Sequence, residues 1–202
     1  MKDQRAIHPY LEKIFDAAAV SILWIICCIP IVTIGASTTA LYYTVNKVIK
    51  KDRGYITEEF FKSFRQNLKP STVLWVVLGV ITVVLQLNIG IVRKTFDNDF
   101  GIFLLMFYGF CLVIVWGIQM YVFPALSRFD MPAGWILKLS IYLCFRHFWR
   151  TAVMLFITLV SIGLIYCFLP LLLILPFLSN YLFHLLIEPV LKRHMPLQNR
   201  LG

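Results

Sequence analysis

Charge is what this sequence lacks. Asp, Glu, Lys and Arg make up 14% of its 202 residues, against about 25% in an ordinary soluble domain. Hydrophobic residues make up 60%, and the mean hydropathy is +0.81. Too few charges remain to coat a soluble globule, so the class is integral membrane protein. Acidic residues are the scarcer sign, ten against nineteen Lys and Arg, for a net charge of +9. On a membrane protein that excess points first to basic cytoplasmic loops and only second to an acidic ligand. The bases flank apolar runs and form no groove, which disfavours nucleic acid as a partner.

Motif chemistry is also missing. The five cysteines (27, 28, 111, 144 and 167) show no CxxC spacing, so buried reduced thiols are expected, not a disulfide or metal framework. There is no P-loop and no Gly-x-Ser-x-Gly elbow, and His184-x-x-x-Glu188 is not the HExxH zinc motif. Asp97-Asn98-Asp99, with Gly101 following, has the composition of a turn between two spans. No catalytic, cofactor or metal residues are expected, and the chain does not read as an enzyme. The first apolar run is flanked by Asp16 and has no small-x-small site, so no cleavable signal peptide is expected.

What is present is long uncharged stretches: residues 17–46, 70–92, 100–127 and 151–187. A helix needs about 20 apolar residues to cross the hydrocarbon core. The second and third runs are single spans, 70–92 and 101–124, the latter closed by Pro124. The fourth is long enough for two, 151–169 and 171–188, with Pro170 at the turn. The first predicts a span over 15–34, released at Pro30. A fresh helix then starts near Ser37, whose hydroxyl caps its free N–H groups. Gly35 and Ala36 let another span approach this corner closely. The expected architecture is one all-α membrane domain over 1–202, with cytoplasmic helical segments at 36–69 and 128–150.

Segment 47–69 holds seven Lys/Arg, segment 128–150 holds four and the tail holds three. The positive-inside rule puts all three in the cytoplasm. This predicts five spans, the N-terminus outside and the C-terminus inside. The N-terminal arm carries three Lys/Arg of its own, which favours the inside. A sixth, incomplete span over 36–46 would satisfy that preference.

Phe64-Arg65-Gln66-Asn67-Leu68-Lys69 and Phe145-Arg146-His147-Phe148-Trp149-Arg150 share a pattern, and each leads into a span. Two parallel copies of a unit (span, cytoplasmic helix, span) would produce it. Accumulation of aromatics and bases at any membrane boundary would too. Thr57 reads as the cap of a helix with Glu58 and Glu59 in its first turn. Phe60, Phe61, Phe64 and Leu68 then share one face. In the second segment Lys138, Arg146 and Arg150 oppose an apolar surface. Such helices lie flat on a leaflet, their bases meeting anionic lipid, or else dock a protein. Phe64, Arg65, Lys69, Phe145, Arg146 and Arg150 are the candidate contacts.

Intramembrane polar groups are the default site candidates. Gln86, Asn88 and Gln119 fall in the second and third spans. Asn180, His184 and Glu188, spaced by four, form one stripe of the last. A His and a carboxylate on one face suit a proton relay or a cation. Interhelical hydrogen bonding explains the amides without a ligand, and Glu188 is close enough to the end to pair with Lys192 or reach water.

The run Ile29-Pro30-Ile31-Val32-Thr33-Ile34-Gly35-Ala36-Ser37-Thr38-Thr39-Ala40-Leu41-Tyr42-Tyr43, with Gly54-Tyr55-Ile56 and Phe60-Phe61-Lys62-Ser63-Phe64 after it, resembles the YesL family of bacterial membrane proteins. The resemblance is strongest over residues 20–70. It implies a small helical protein of the bacterial plasma membrane, encoded beside carbohydrate ABC transporters and their sensors. It implies an accessory or regulatory role in sugar uptake and supplies no catalytic residues. A small transporter or channel using the intramembrane polar residues is the other expectation. The chain has no recognisable EAA-type coupling loop, so it does not read as a permease subunit itself.

Overall fold

The computed structural model describes residues 4–49, 54–95, 98–129, 131–168, 171 and 175–194, with the backbone alone at 4–14, 49 and 192–194. Every regular element among them is helical: α1 (Gln4–Cys28), α2 (Ile34–Thr44), α3 (Ile56–Thr95), α4 (Asp99–Leu126), α5 (Ala133–Arg146), α6 (Phe148–Cys167) and α7 (Leu175–His194). A 3₁₀ turn at Ile31–Thr33 precedes α2, and a π segment at Val45–Ile49 continues it. Three helices, α3, α4 and α6, are long and apolar enough to cross a membrane, and the chain is a membrane protein on that account. Phe15–Cys28 and Leu175–Leu191 are shorter apolar stretches.

Several boundaries differ from the sequence expectation. The first apolar helix ends at Cys28, not at residue 34. Pro30 has no N–H to continue it and holds extended backbone (φ −74°, ψ 112°). The restart comes at Ile34, so Ser37 lies within the first turn and is not its cap. Likewise Thr57 lies inside α3, which begins at Ile56.

The larger difference is at Pro70. The expected cytoplasmic helix 57–69 and the span 70–92 are one 40-residue helix, about 60 Å long at 1.5 Å per residue. Proline at this position removes one donor, the bond to the Gln66 carbonyl, while its φ suits a helix. The neighbouring hydroxyl adds a bond: Ser71 Oγ donates to the Asn67 carbonyl at 2.5 Å. Such a helix exceeds the roughly 30 Å hydrocarbon core twofold. Its charges from Glu58 to Lys69 all lie in the first third.

Pro124 is also inside its helix, which closes two residues later at Leu126. There Ser127 Oγ donates to the Pro124 carbonyl at 2.7 Å. The break between α6 and α7 falls between Cys167 and Leu175; Pro170 itself lies outside the described residues. The two proposed repeats do not fold alike. Phe64 to Lys69 sit in the unbroken α3, whereas the second motif spans a break at His147 (φ −116°, ψ 47°) between α5 and α6.

Two apolar clusters hold the bundle. In the larger, Leu74 and Leu78 of α3 meet Tyr121, Val122 and Leu126 of α4. Ile136 and Leu143 of α5, Met154 of α6 and Ile187 and Leu191 of α7 complete it. In the smaller, Val20 of α1 packs on Ala40, Leu41 and Val45, with Phe60 of α3 closing it. Beyond these clusters the helices are bare: only 11% of the most apolar window of α3 is buried, and 22% of that of α4. Exposed Leu87, Ile91, Phe103, Phe107 and Phe110 are what a lipid-facing surface requires.

Candidate functional site

The hydroxyl-rich corner at residues 29–43 closes the end of α1. The last carbonyls of a helix have no intrahelical donor. Here Thr33 Oγ1 reaches the Cys27 carbonyl at 2.6 Å and Ser37 Oγ reaches the same oxygen at 2.9 Å. Ser37 also approaches the Thr33 carbonyl at 3.0 Å. Trp24 Nε1 donates to Thr38 Oγ1 at 3.3 Å, which folds α2 back along α1. The hydroxyls thus cap the preceding helix, not the following one. Gly35 and Ala36 are buried. A Cβ on Gly35 would lie 2.9 Å from the Phe123 ring and 3.0 Å from the Ser71 carbonyl.

A buried polar cluster lies where α2, the loop after α4 and α7 converge. Arg128 Nη2 is 2.5 Å from Glu188 Oε1. The other carboxylate oxygen faces Tyr42 Oη and His184 Nε2, each at 3.5 Å. His184 Nε2 also bonds Asn46 Oδ1. The Tyr42 ring stacks on the imidazole with centroids 5.6 Å apart. Tyr42, Asn46, His184 and Glu188 are all buried. Desolvation, then the Glu188 charge, push the Tyr42 phenol well above its ordinary pKa, which leaves it a neutral donor. Asn46 reaches the cluster from the π segment, whose wider turn re-aims side chains.

The sequence placed His184 and Glu188 together, and the structure does so. Glu188 pairs with Arg128 and is buried, where pairing with Lys192 or contact with water was expected; the Lys192 side chain lies outside the described residues. Tyr42, Asn46 and Arg128 escaped the sequence reading because they are 60–146 residues distant from their partners. The third stripe residue, Asn180, is elsewhere. It lines a partly open cavity of about 460 Å³ bordered by residues of α1, α2, α3, α4, α6 and α7. Trp24, Trp75, Phe123 and Phe183 form apolar walls, and Gln119 and Asn180 enter from α4 and α7. Gln86 is exposed, and Asn88 donates to its own helix at Val84, so neither joins it.

On the outer face of α5, Trp135, Lys138, Ile141, Tyr142, Phe145 and Arg146 are exposed, and Phe148 and Trp149 extend the face into α6. Phe145 is 60% and Trp149 82% exposed. The Arg146 guanidinium sits 5.7 Å from the centre of the Tyr142 ring. Arg65 and Lys69 are exposed on α3, and Arg150 is half-buried. Phe64 is also half-buried, stacked on Phe60 at 6.4 Å, and belongs to the smaller core. Phe61 points outward, off the face expected to hold it. All five cysteines are free and only Cys144 is buried, where buried thiols had been expected generally. Asn98 caps α4, accepting from the Gly101 N–H at 3.1 Å, as a turn would place it; Asp97 lies outside the described residues.

A family model described as a protein of unknown function, DUF624, matches residues 17–89, from α1 through most of α3. No curated protein and no solved structure matches the chain. The matched segment contains the hydroxyl-rich corner, Tyr42 and Asn46.

Proposed function

We propose that this chain is an accessory membrane protein that docks a carbohydrate ABC transporter or its sensor through the face carrying α5 and the first third of α3. The observation that carries the reading is the surface of α5, where exposed Trp135, Tyr142 and Phe145 alternate with Lys138 and Arg146, with exposed Trp149 following at the start of α6. Aromatics and Arg are the residues that dominate protein interfaces. The sugar-uptake partner rests on the resemblance of residues 29–64 to the YesL family. The proposal includes a bacterial plasma membrane, five crossings, an external N-terminus and a cytoplasmic C-terminus, with the short helices α1 and α7 supplying the two crossings beyond α3, α4 and α6.

Use of the intramembrane polar residues for transport is the weaker reading. Gln86 faces outward, the cavity holding Gln119 and Asn180 is walled by apolar side chains, and His184 and Glu188 are engaged by Asn46 and Arg128. Purification of the tagged chain from native membranes in a mild detergent tests the docking. A transporter or sensor subunit should co-elute, and Phe145→Ala with Arg146→Glu should release it at unchanged expression. Recovery of this chain alone, under conditions that preserve an established transporter complex, would reject the reading.

A further inference from the structure

We infer that the cavity between α4 and α7 binds an uncharged amphiphile drawn from the bilayer, with Gln119 and Asn180 holding a hydroxyl-bearing head and the aromatic walls holding the apolar chain. Its volume, about 460 Å³, falls within the roughly 300–1,000 Å³ of ligand sites.

The chemical class follows from a count of polar groups. None of the described lining residues is charged or a histidine. A charge placed there would have no partner in a low-dielectric surrounding, which excludes carboxylates, phosphates and ammonium groups. Most lining polar groups are already spent. Trp24 donates to Thr38, Thr38 to the Ile34 carbonyl and Thr158 to the Met154 carbonyl, and Ser161 pairs with Ser179 at 2.9 Å. Two amides and the Trp75 indole N–H are left. Asn180 donates to the Pro176 carbonyl through Nδ2, and its own oxygen accepts from no described residue. The Gln119 side chain has no hydrogen-bond partner among the described residues.

An amide without partners costs free energy in hydrocarbon, where water cannot serve it. The two amides offer acceptors and donors from two helices lining one chamber. A hydroxyl both donates and accepts, so it satisfies them where an alkyl chain cannot. The flanking surfaces of α4 and α6 are bare and apolar, which suits entry from the bilayer. This site is separate from the α5 face and independent of which protein, if any, docks there.

Trp24 and Trp75 line the chamber and report on it directly. The full-length chain carrying Trp116→Phe, Trp135→Phe and Trp149→Phe, in mild detergent, would be titrated with bromoundecanoyl glycerol, whose bromine quenches indole on contact. Saturable quenching is expected. Bromoundecanoate at mildly alkaline pH and bromoundecane, which share the chain but carry a charged head or none, should bind at least about tenfold more weakly. Gln119→Leu should weaken the glycerol ester about tenfold while leaving helicity and melting temperature in place, because leucine suits hydrocarbon. If that variant misfolds, the three probes on the unsubstituted Gln119 chain decide alone. Quenching that never saturates, or equal binding of all three probes, would overturn the inference. Unchanged affinity in a folded Gln119→Leu chain would overturn it as well.

Discussion

Arg128 and Glu188 form a buried ion pair, Nη2 to Oε1 at 2.5 Å, that fastens the loop after α4 to the last helix. Their side chains are 15% and 9% exposed. Removing one member of such a pair strands the other charge, at a cost of about 3–5 kcal/mol. Arg128→Met should lower the midpoint of denaturant unfolding accordingly. The double variant Arg128→Met/Glu188→Leu should recover most of the loss, since no charge is then left unpaired. A single variant as stable as the parent would show that the pair is solvated.

At the Gly35 contact there is no room for a methyl group. The clash partners include the Ser71 backbone and the Trp75 Cβ, neither of which can swing aside. Gly35→Ala should cost about 1–3 kcal/mol through overpacking, and Gly35→Leu should prevent the corner from docking on α3. Thermal unfolding of the purified alanine variant checks the first, and yield of folded protein the second.

Two hydroxyls share one acceptor at the Cys27 carbonyl. Ser37→Ala alone should therefore cost little, a few tenths of a kcal/mol, because Thr33 still caps it. Thr33→Val with Ser37→Ala should cost about 1 kcal/mol, the low end of the penalty for an unsatisfied carbonyl, because Cys27 is half-buried. A double-mutant cycle should return a clearly non-additive energy. Simple additivity would mean that the two bonds act independently.

Lys47 lies 2.7 Å from Glu59 and bonds it, which raises the Lys47 pKa above its ordinary value. The sign follows directly: the folded state favours the protonated amine. Its contribution is complete at neutral pH and lost only as pH climbs past the raised lysine value. The pair is partly exposed, so the gain is at most about 1 kcal/mol. Lys47→Met should lower the melting temperature slightly at neutral pH, and the difference should vanish in strong alkali.

The proposed orientation makes its own prediction. With native cysteines replaced, a thiol introduced at Lys62 or Arg146 should resist an impermeant reagent on whole cells and react after permeabilisation. Labelling of intact cells would reverse the sidedness and remove the docking face from the cytoplasm.

The helix inventory was legible because its signals are local. Charge-free runs at 70–92 and 100–127 mark α3 and α4, since hydrocarbon does not solvate charge. Pro30 marked a break because the chain there has no donor to offer. The same residue type misled at Pro70, where the missing donor was tolerated and the helix ran on for 40 residues. Ser37 misled too: a hydroxyl near a helix start suits either cap, and the partner it chose was a carbonyl ten residues earlier.

By itself the sequence determined that this is an all-helical membrane protein, because burial in lipid is decided residue by residue along each run. Only the tertiary structure decided which polar groups meet. The spacing of four put His184 beside Glu188, but nothing in the sequence brings Tyr42, Asn46 and Arg128, 60–146 residues away, to that stripe. Gln119 and Asn180 came to line one chamber for the same reason. A buried polar group is satisfied by whatever lies across from it in space, and that is set by how the helices pack.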